Sequence, residues 1–204
     1  MDLDKKSIEE FTSLIASKAP FPGGGGASAA VAAIGIALGD MVGELTVGKK
    51  SYAAVEDEIK EIMVKAQSLR VRFLELINRD AEDFEPLSKA YSIPKDDPGR
   101  DGELERCLRL AAKAPMEIFD LSCEAIALFM PLATKGSKLA ISDAATGVVF
   151  CWSAMYGAAV NVKVNTKLMK DREYAESLNK HVDDAMAKYW LIAEETYEIV
   201  YKQF

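Results

Sequence analysis

The fold of this chain is decided by a stretch of small and apolar residues, ASAAVAAIGIALGDMVGELTV (residues 27–47). Its alanines and glycines are small enough for a neighbouring helix to approach the backbone closely. A second stretch of similar character, SDAATGVVFCWSAMYGAAVNVKVNTKLM, covers residues 142–169. Together they predict two apolar helices in the middle of an all-α bundle.

Amphipathic patterns lie on either side of these two stretches. Apolar residues recur at helical spacing over residues 7–17, 51–91, 104–132 and from Asp171 onward. Ser7 and Glu10 have the spacing of a capping box, Ser142 is a candidate N-cap, and Asp171 is expected to open the last helix. The polar, Pro- and Gly-rich residues 94–102 form the one candidate linker. We therefore expect about six helices in a single domain, residues 1–204.

Composition excludes several classes of protein. Half of the 204 residues are hydrophobic and 28% are charged, which is too apolar for a disordered chain. The net charge of -7 provides no basic field for nucleic acid, so no nucleic-acid partner is expected. Residues 19–39 and 144–162 are uncharged or nearly so, but their prolines, glycines and polar residues favour buried helices over a membrane span. Three cysteines at irregular spacing predict a reducing, cytoplasmic environment.

The sequence gives little support for a metal site, a nucleotide-binding site or covalent catalysis. Residues 43–50, GELTVGKK, resemble a P-loop, but Lys50 stands where a magnesium-binding hydroxyl is needed, and the segment ends a helix. Gly48 is more simply a turn residue that ends this helix. The single histidine, His181, lies on a polar helical face without a second ligand, so no metal site is expected. No serine or cysteine has a nucleophile signature.

Two features remain as candidate chemistry. Residues 20–26, PFPGGGG, predict a shaped loop before the first apolar helix, either as a ligand site or as a means of close helix packing. Carboxylates near apolar runs are costly unless they are paired, capped or used. Asp80 and Asp143 fall in such places, although Asp80 also fits the solvated side of a helix and Asp143 also fits a cap.

Several motifs together resemble one family: the cyclodeaminase domain of formiminotransferase-cyclodeaminase and the stand-alone bacterial methenyltetrahydrofolate cyclohydrolases that share it. The resemblance runs nearly end to end. It rests on PGGGG (22–26), LTVGKKSY (45–52), DAEDF (80–84) with IPK (93–95), and ISD (141–143) with Asn161, Val162 and Asn165. Residues 136–141, GSKLAI, depart from the Gly-Asn-x-Asn that many members have before the Ser-Asp pair.

The resemblance implies an all-helical homodimer with a folate site near the subunit interface. It implies Asp80 as the catalytic carboxylate. It also implies that the folate cleft is lined by Pro22, Gly23, Gly24, Gly25, Gly26, Ser142, Asp143, Asn161 and Asn165, with Asp143 complementary to the pterin 2-amino and N3-H edge. The anionic glutamate tail of a folate that can be polyglutamylated needs local basic groups, for which the candidates are Lys49, Lys50, Lys135, Lys138 and Lys163, although most of them also fit simple solvation of helix ends.

The implied substrate is a tetrahydrofolate derivative, and no tightly bound cofactor is expected. One reaction is hydrolysis of 5,10-methenyltetrahydrofolate to 10-formyltetrahydrofolate; the close alternative is the cyclodeaminase reaction, which releases ammonia from 5-formiminotetrahydrofolate. The cyclohydrolase ranks first because the chain has no domain that would make the formimino substrate. A third reading, of another class, is a folate-binding helical protein without turnover.

Overall fold

A computed structural model describes residues 2–204 of the protein, and it is all-α, as predicted. The helices are α1 (Ile8–Ile15), α2 (Gly24–Glu44), α3 (Glu56–Ala90), α4 (Arg100–Ala111), α5 (Lys113–Lys135), α6 (Ile141–Thr166) and α7 (Arg172–Tyr201). Short 3-10 turns occupy Leu3–Lys5, Lys50–Val55 and Lys138–Ala140. No β-strand occurs in residues 2–204, and seven α-helices replace the expected six.

The two apolar helices, α2 and α6, pack against each other and run antiparallel. Gly24 at the start of α2 lies beside Asn161 near the end of α6, whereas Gly35 lies against Gly147 and Cys151. A Cβ atom at Gly35 would come within 2.9 Å of the Gly147 carbonyl oxygen. The small residues therefore do what the sequence predicted, since they let two backbones approach closely.

The remaining helices cover this pair unequally. Helix α3 packs on α2, α5 packs on both α2 and α6, and α7 packs on α6. Large side chains from several helices fill the core, among them Phe73, Phe119, Phe129, Leu76, Ile126 and Met155. A smaller cluster joins the end of α3 to α4 through Leu87, Cys107 and Leu108. One face of the α2–α6 pair, however, keeps apolar side chains exposed, including Ile34 and Val160.

Two segments, Gly24–Glu44 and Lys138–Thr166, are long and apolar enough to cross a membrane by length and composition. Their most apolar windows are 56% and 50% buried inside the bundle, a pattern that core helices of globular proteins also show. Burial by other helices thus accounts for much of the apolar character of these two segments.

Three predicted boundaries are wrong. The glycine run is not wholly a loop, because Gly24 already opens α2 and Gly23 is its N-cap. Pro131 does not end a helix: α5 continues through it to Lys135, and the residues that follow, Leu132 and Ala133, are buried in the core. Burial of that last turn offsets the proline's missing hydrogen bond. The expected helix over 104–132 is instead two helices, α4 and α5, that meet at Ala112.

The predicted caps have mixed outcomes. Ser7 and Glu10 form a full capping box at α1, and the Asp171 side chain accepts a hydrogen bond from the Tyr174 amide at the start of α7. Ser142 does not cap α6, since the helix begins one residue earlier, at Ile141. Gly48 does not end α2 as predicted, because the helix stops at Glu44 with Leu45 as its C-cap; Gly48 instead has φ +76° in the turn that follows.

Candidate functional site

The centre of the candidate site is the contact between Asp80 and the first turn of α2. The Gly26 amide donates a 2.8 Å hydrogen bond to Oδ2 of Asp80. At Gly25, a Cβ atom would stand only 2.5 Å from the carboxyl carbon of Asp80. The glycine run is therefore needed to let the carboxylate approach the backbone, and the start of a helix supplies an amide to bind it.

The environment of Asp80 changes its acidity. Burial raises the pKa of Asp80 to about 6, although the hydrogen bond from Gly26 lowers it, and the nearby charge of Asp83 raises it further. A carboxyl group with such a pKa gains and loses its proton close to neutral pH, which suits general acid–base catalysis. Asp80 therefore does not lie on the solvated side of α3.

Two neutral amides from α6 lie near the same end of the bundle. The Nδ2 group of Asn161 donates to the Gly157 carbonyl at 2.8 Å, and a Cβ atom at Gly24 would come within 2.9 Å of this nitrogen. Buried Asn165 donates to the carbonyls of Asn161, at 2.9 Å, and Ala111, at 3.3 Å. Helices α2, α3, α4 and α6 thus bring the predicted residues Pro22 to Gly26, Asp80, Asn161 and Asn165 into one region.

The other predicted residues lie at the opposite end of the α2–α6 pair. Asp143 and Ser142 are in the first turn of α6. Because α6 rises about 1.5 Å per residue, the 18 residues from Asp143 to Asn161 correspond to about 27 Å. Lys49 and Lys50 follow the end of α2 and lie near this far end, where Lys49 Nζ is 3.4 Å from Ser137 Oγ. Within one chain, these four residues cannot reach a small molecule bound at Asp80.

The far end is held together by a compact polar network. The Ser137 amide donates to Oγ1 of buried Thr46 at 2.8 Å, and Thr46 donates in turn to the Val42 carbonyl. The Lys138 amide donates to the Tyr52 hydroxyl at 3.0 Å, which lowers the pKa of that phenol. Polar residues from the LTVGKKSY segment, the turn before α6 and the first turn of α6 share this end of the bundle, and we call six of them the distal cluster: Lys49, Lys50, Tyr52, Ser137, Ser142 and Asp143.

Two further candidate lysines are paired with carboxylates. Lys135 binds both oxygens of Glu58, at 2.7 and 2.8 Å. Lys163 is hydrogen-bonded to Asp183. Exposed His181 contacts Asp120 at 2.7 Å, consistent with its predicted surface position. Among residues 2–204 there is no group of three or more His, Cys, Asp or Glu side chains that could hold a metal ion.

Sequence reasoning assigned no role to the second aspartate of the DAEDF motif. Asp83 is buried, with 5% of its surface exposed, and its Oδ1 accepts a 2.8 Å hydrogen bond from Arg79. Its Oδ2 is buried without a hydrogen-bond partner. The i, i+3 spacing from Asp80 was the available signal, since it places both carboxylates on one side of α3.

An apolar groove of about 480 Å³ adjoins the site. It lies between α1, α2 and α3, and its lining includes Ala27, Ile34 and Ile77, the first two from α2 and the last from α3. Ala27 and Ile77 are each one to three residues from the Gly26–Asp80 contact. The groove therefore runs close to the candidate site, although Gly25, Gly26 and Asp80 do not line it.

Known proteins match this chain over nearly its whole length. The family model described as formiminotransferase-cyclodeaminase matches residues 7–184. A methenyltetrahydrofolate cyclohydrolase from Methylorubrum extorquens is 36% identical over 199 residues, covering 96% of each chain. A formimidoyltransferase-cyclodeaminase from Dictyostelium discoideum is 29% identical over 184 residues, which are 90% of this chain but 34% of that protein.

A solved structure has the same fold. The crystal structure of a formiminotetrahydrofolate cyclodeaminase from Thermotoga maritima superposes with a TM-score of 0.83 at 30% sequence identity. The match covers 98% of this chain and 96% of that one. Fold and sequence similarity therefore extend together over the region that contains the glycine run, Asp80 and the distal cluster.

Proposed function

Because the chain belongs to the formiminotransferase-cyclodeaminase family, we propose that it hydrolyses 5,10-methenyltetrahydrofolate to 10-formyltetrahydrofolate. It is an enzyme of folate one-carbon metabolism, as its relatives are by name. Similarity over 96% of both chains to a protein named methenyltetrahydrofolate cyclohydrolase supports this reaction in particular. The observation that carries the proposal is the contact between Gly26 and Asp80. The Gly26 amide at the start of α2 binds the Asp80 carboxylate, and burial raises the pKa of this group to about 6, close to neutral pH.

The proposed chemistry needs one base at one carbon. Asp80, ionised, accepts a proton from a water molecule as the water oxygen bonds to the cationic methenyl carbon between N5 and N10. The resulting adduct opens when the bond from this carbon to N5 breaks: the proton on Asp80 passes to N5, and the hydroxyl proton of the adduct is released to solvent as the formyl carbonyl forms. The formyl group stays on N10. Fixing one carboxylate oxygen with the Gly26 amide leaves the other oxygen to contact the water.

The cyclodeaminase reaction is the second candidate, and the match to the Thermotoga maritima structure favours it. In that reaction N10 attacks the formimino carbon, the Asp80 carboxylate takes the N10 proton, and this proton then passes to the amino group, which leaves as ammonia. Both reactions move one proton at one carbon, so Asp80 serves either. Their products differ, which makes the two proposals separable.

We further propose that the active form is a homodimer. The exposed face of the α2–α6 pair presents Ile34, Met41, Tyr156, Val160 and Val164. Helical spacing groups Ile34 with Met41 on one side of α2, and Tyr156 with Val160 and Val164 on one side of α6. Such an apolar face is unusual on a monomer and is well suited to an isologous contact with a second copy.

A dimer formed through this face would complete the site. The candidate residues lie at opposite ends of α6, Asp80 and Asn161 at one end and the distal cluster at the other. A two-fold axis crossing α6 near its midpoint would bring the partner's distal cluster next to Asp80. Lys49 or Lys50 and Asp143 would then supply the charges for the glutamate tail and pterin that the Asp80 region lacks.

The decisive experiment follows both substrates with one preparation of the protein. Loss of the methenyl chromophore without ammonia release from 5-formiminotetrahydrofolate supports the cyclohydrolase. Ammonia release with accumulation of the methenyl compound identifies the cyclodeaminase. Folate binding without either signal leaves a binding protein. The proposed cellular location is the cytoplasm, in keeping with the three cysteines, which are free and buried.

A further inference from the structure

Asp83 is the one buried carboxylate beside Asp80, and the reaction described above does not use it. It lies three residues after Asp80 on α3, so the two side chains point to the same side of the helix about 5–6 Å apart at Cβ. Arg79 binds one of its oxygens at 2.8 Å, and its other oxygen is buried without a partner. A buried carboxylate with an unpaired oxygen is costly, so its position requires an explanation.

We propose that Asp83 is a positioning residue for Asp80: its buried negative charge, held in place by Arg79, sets how readily the catalytic carboxylate takes up a proton. This inference rests on the proposed function only in that Asp80 acts there as the base. A like charge one helical turn away favours the protonated form of its neighbour, which makes the neighbour a stronger base.

The groups around Asp80 other than Asp83 are neutral or paired, so Asp83 is the charge that acts on Asp80. The first turn of α2 is glycine and alanine, and α6 presents the neutral amides Asn161 and Asn165 to this region. The charged groups on the packed elements are engaged in pairs of their own: Asp4 with Lys5, Arg106 with Glu103, Arg109 with Glu105 and Asp171, Lys163 with Asp183, Lys170 with Asp101, and Lys89 with Glu85. Arg100 donates to the Ile93 carbonyl, and Glu82 has an interaction of its own.

Arg79 has a distinct part in this arrangement. Its guanidinium is half exposed and donates to Oδ1 of Asp83 at 2.8 Å. Its positive charge therefore stabilises the ionised form of Asp83 and offsets part of the effect of the Asp83 charge on Asp80. Removing Arg79 and removing Asp83 should consequently act on Asp80 in opposite directions.

The test is the pH dependence of methenyltetrahydrofolate hydrolysis in two variants. Asp83→Asn keeps an oxygen for Arg79 but removes the charge, and we expect the half-maximal pH to fall by about one unit, which raises the ratio of activity at pH 5 to activity at pH 8 about fivefold. Arg79→Gln should move the half-maximal pH upward. Glu75→Gln, which removes an exposed carboxylate from the same helix, is the matched control and should leave the profile unchanged.

The opposite signs make the proposal falsifiable. An unchanged half-maximal pH in Asp83→Asn, or an equal loss of activity at every pH, would overturn it, because either result indicates a purely structural role. If Asp83→Asn does not fold, the upward shift in Arg79→Gln decides, and its absence would overturn the proposal.

A second readout does not depend on turnover. Carboxyl-carbon NMR of the uniformly labelled protein, with Asp80 assigned from its absence in Asp80→Asn, should show Asp80 titrating near pH 6 and near pH 5 in Asp83→Asn. If the protein hydrolyses neither folate but this shift occurs, the proposed function fails while the role of Asp83 stands. If hydrolysis occurs without the shift, the proposed function stands and the role of Asp83 fails.

Discussion

The backbone amide of Gly26 binds Oδ2 of Asp80 at 2.8 Å, joining two residues that are 54 positions apart in the sequence. The contact exists because Gly25 has no side chain to keep α3 away from the first turn of α2. It connects the most distinctive motif of the chain to its candidate catalytic group. The following predictions concern this contact, its partners and the assembly that completes it.

Replacement of Asp80 by asparagine should abolish most of the catalysis. The amide keeps the hydrogen bond from Gly26 but cannot accept a proton from water, so the rate should fall by about 10²- to 10⁴-fold. Stopped-flow loss of the methenyl chromophore measures this rate. The change Asp57→Asn, at an exposed position on the same helix, is the control and should leave the rate unchanged. Full activity in Asp80→Asn would remove Asp80 from the mechanism.

The same variant should be more stable than the wild type at alkaline pH. Burial raises the Asp80 pKa from 3.8 to about 6, so the folded state binds the proton more tightly than the unfolded state does. The stability from this proton is complete below pH 4 and is lost as the pH rises through 6. Asp80→Asn avoids that loss and should gain about 2–3 kcal/mol at pH 8.

Urea unfolding of both proteins at pH 5 and at pH 8 measures the difference. The gain for Asp80→Asn should be clearly smaller at pH 5 than at pH 8, because the wild-type carboxyl group is then largely protonated. An equal difference at both pH values would show that burial of the ionised Asp80 side chain does not lower the free energy of unfolding.

The change Gly25→Ala should separate α2 from Asp80. The new Cβ would stand 2.5 Å from the carboxyl carbon, so one of the two must move. We expect activity to fall by about tenfold or more, since shifts of this size misplace a catalytic group. Gly102→Ala is the matched control, because a Cβ at Gly102 has no neighbour within 4 Å. Equal activity in the two variants would contradict the importance of this contact.

Thr46→Val should destabilise the distal cluster. The valine has nearly the shape of threonine but cannot accept the hydrogen bond from the Ser137 amide, which would be left buried without a partner. The expected cost is about 1–3 kcal/mol in the free energy of unfolding. Thermal or urea unfolding measures it, and Thr134→Val, at an exposed position on α5, is the comparison. A loss no larger than that of Thr134→Val would show that the network does not matter for stability.

Mixing two inactive homodimers tests the composite site. In a hybrid of Asp80→Asn and Asp143→Ala subunits, one of the two sites would contain both native aspartates. With free exchange of subunits, half of the dimers are hybrids and each has one intact site, so about a quarter of the wild-type activity should return. No recovery after subunit exchange, verified by mass spectrometry, would argue against a site shared between two chains.

Local sequence determined much of this protein. The capping box of Ser7 and Glu10 and the cap at Asp171 were read correctly, because a cap depends on residues only three positions apart. The two apolar central helices were also predictable, because their small apolar residues favour helices that pack closely together inside the bundle. The family resemblance pointed to Asp80 and the glycine run, which the fold brings together.

Tertiary packing decided the rest. Pro131 remains inside α5 because the turn beyond it is buried, and Gly24 belongs to α2 because Asn161 packs against it. The family resemblance implied one folate cleft for Asp143 and Asp80, whereas within one chain the fold separates them by most of the length of α6. The acidity of Asp80 and the burial of Asp83 likewise depend on which helices cover them. A pattern along the chain gives the face on which a residue lies, but only packing in three dimensions determines what that face meets.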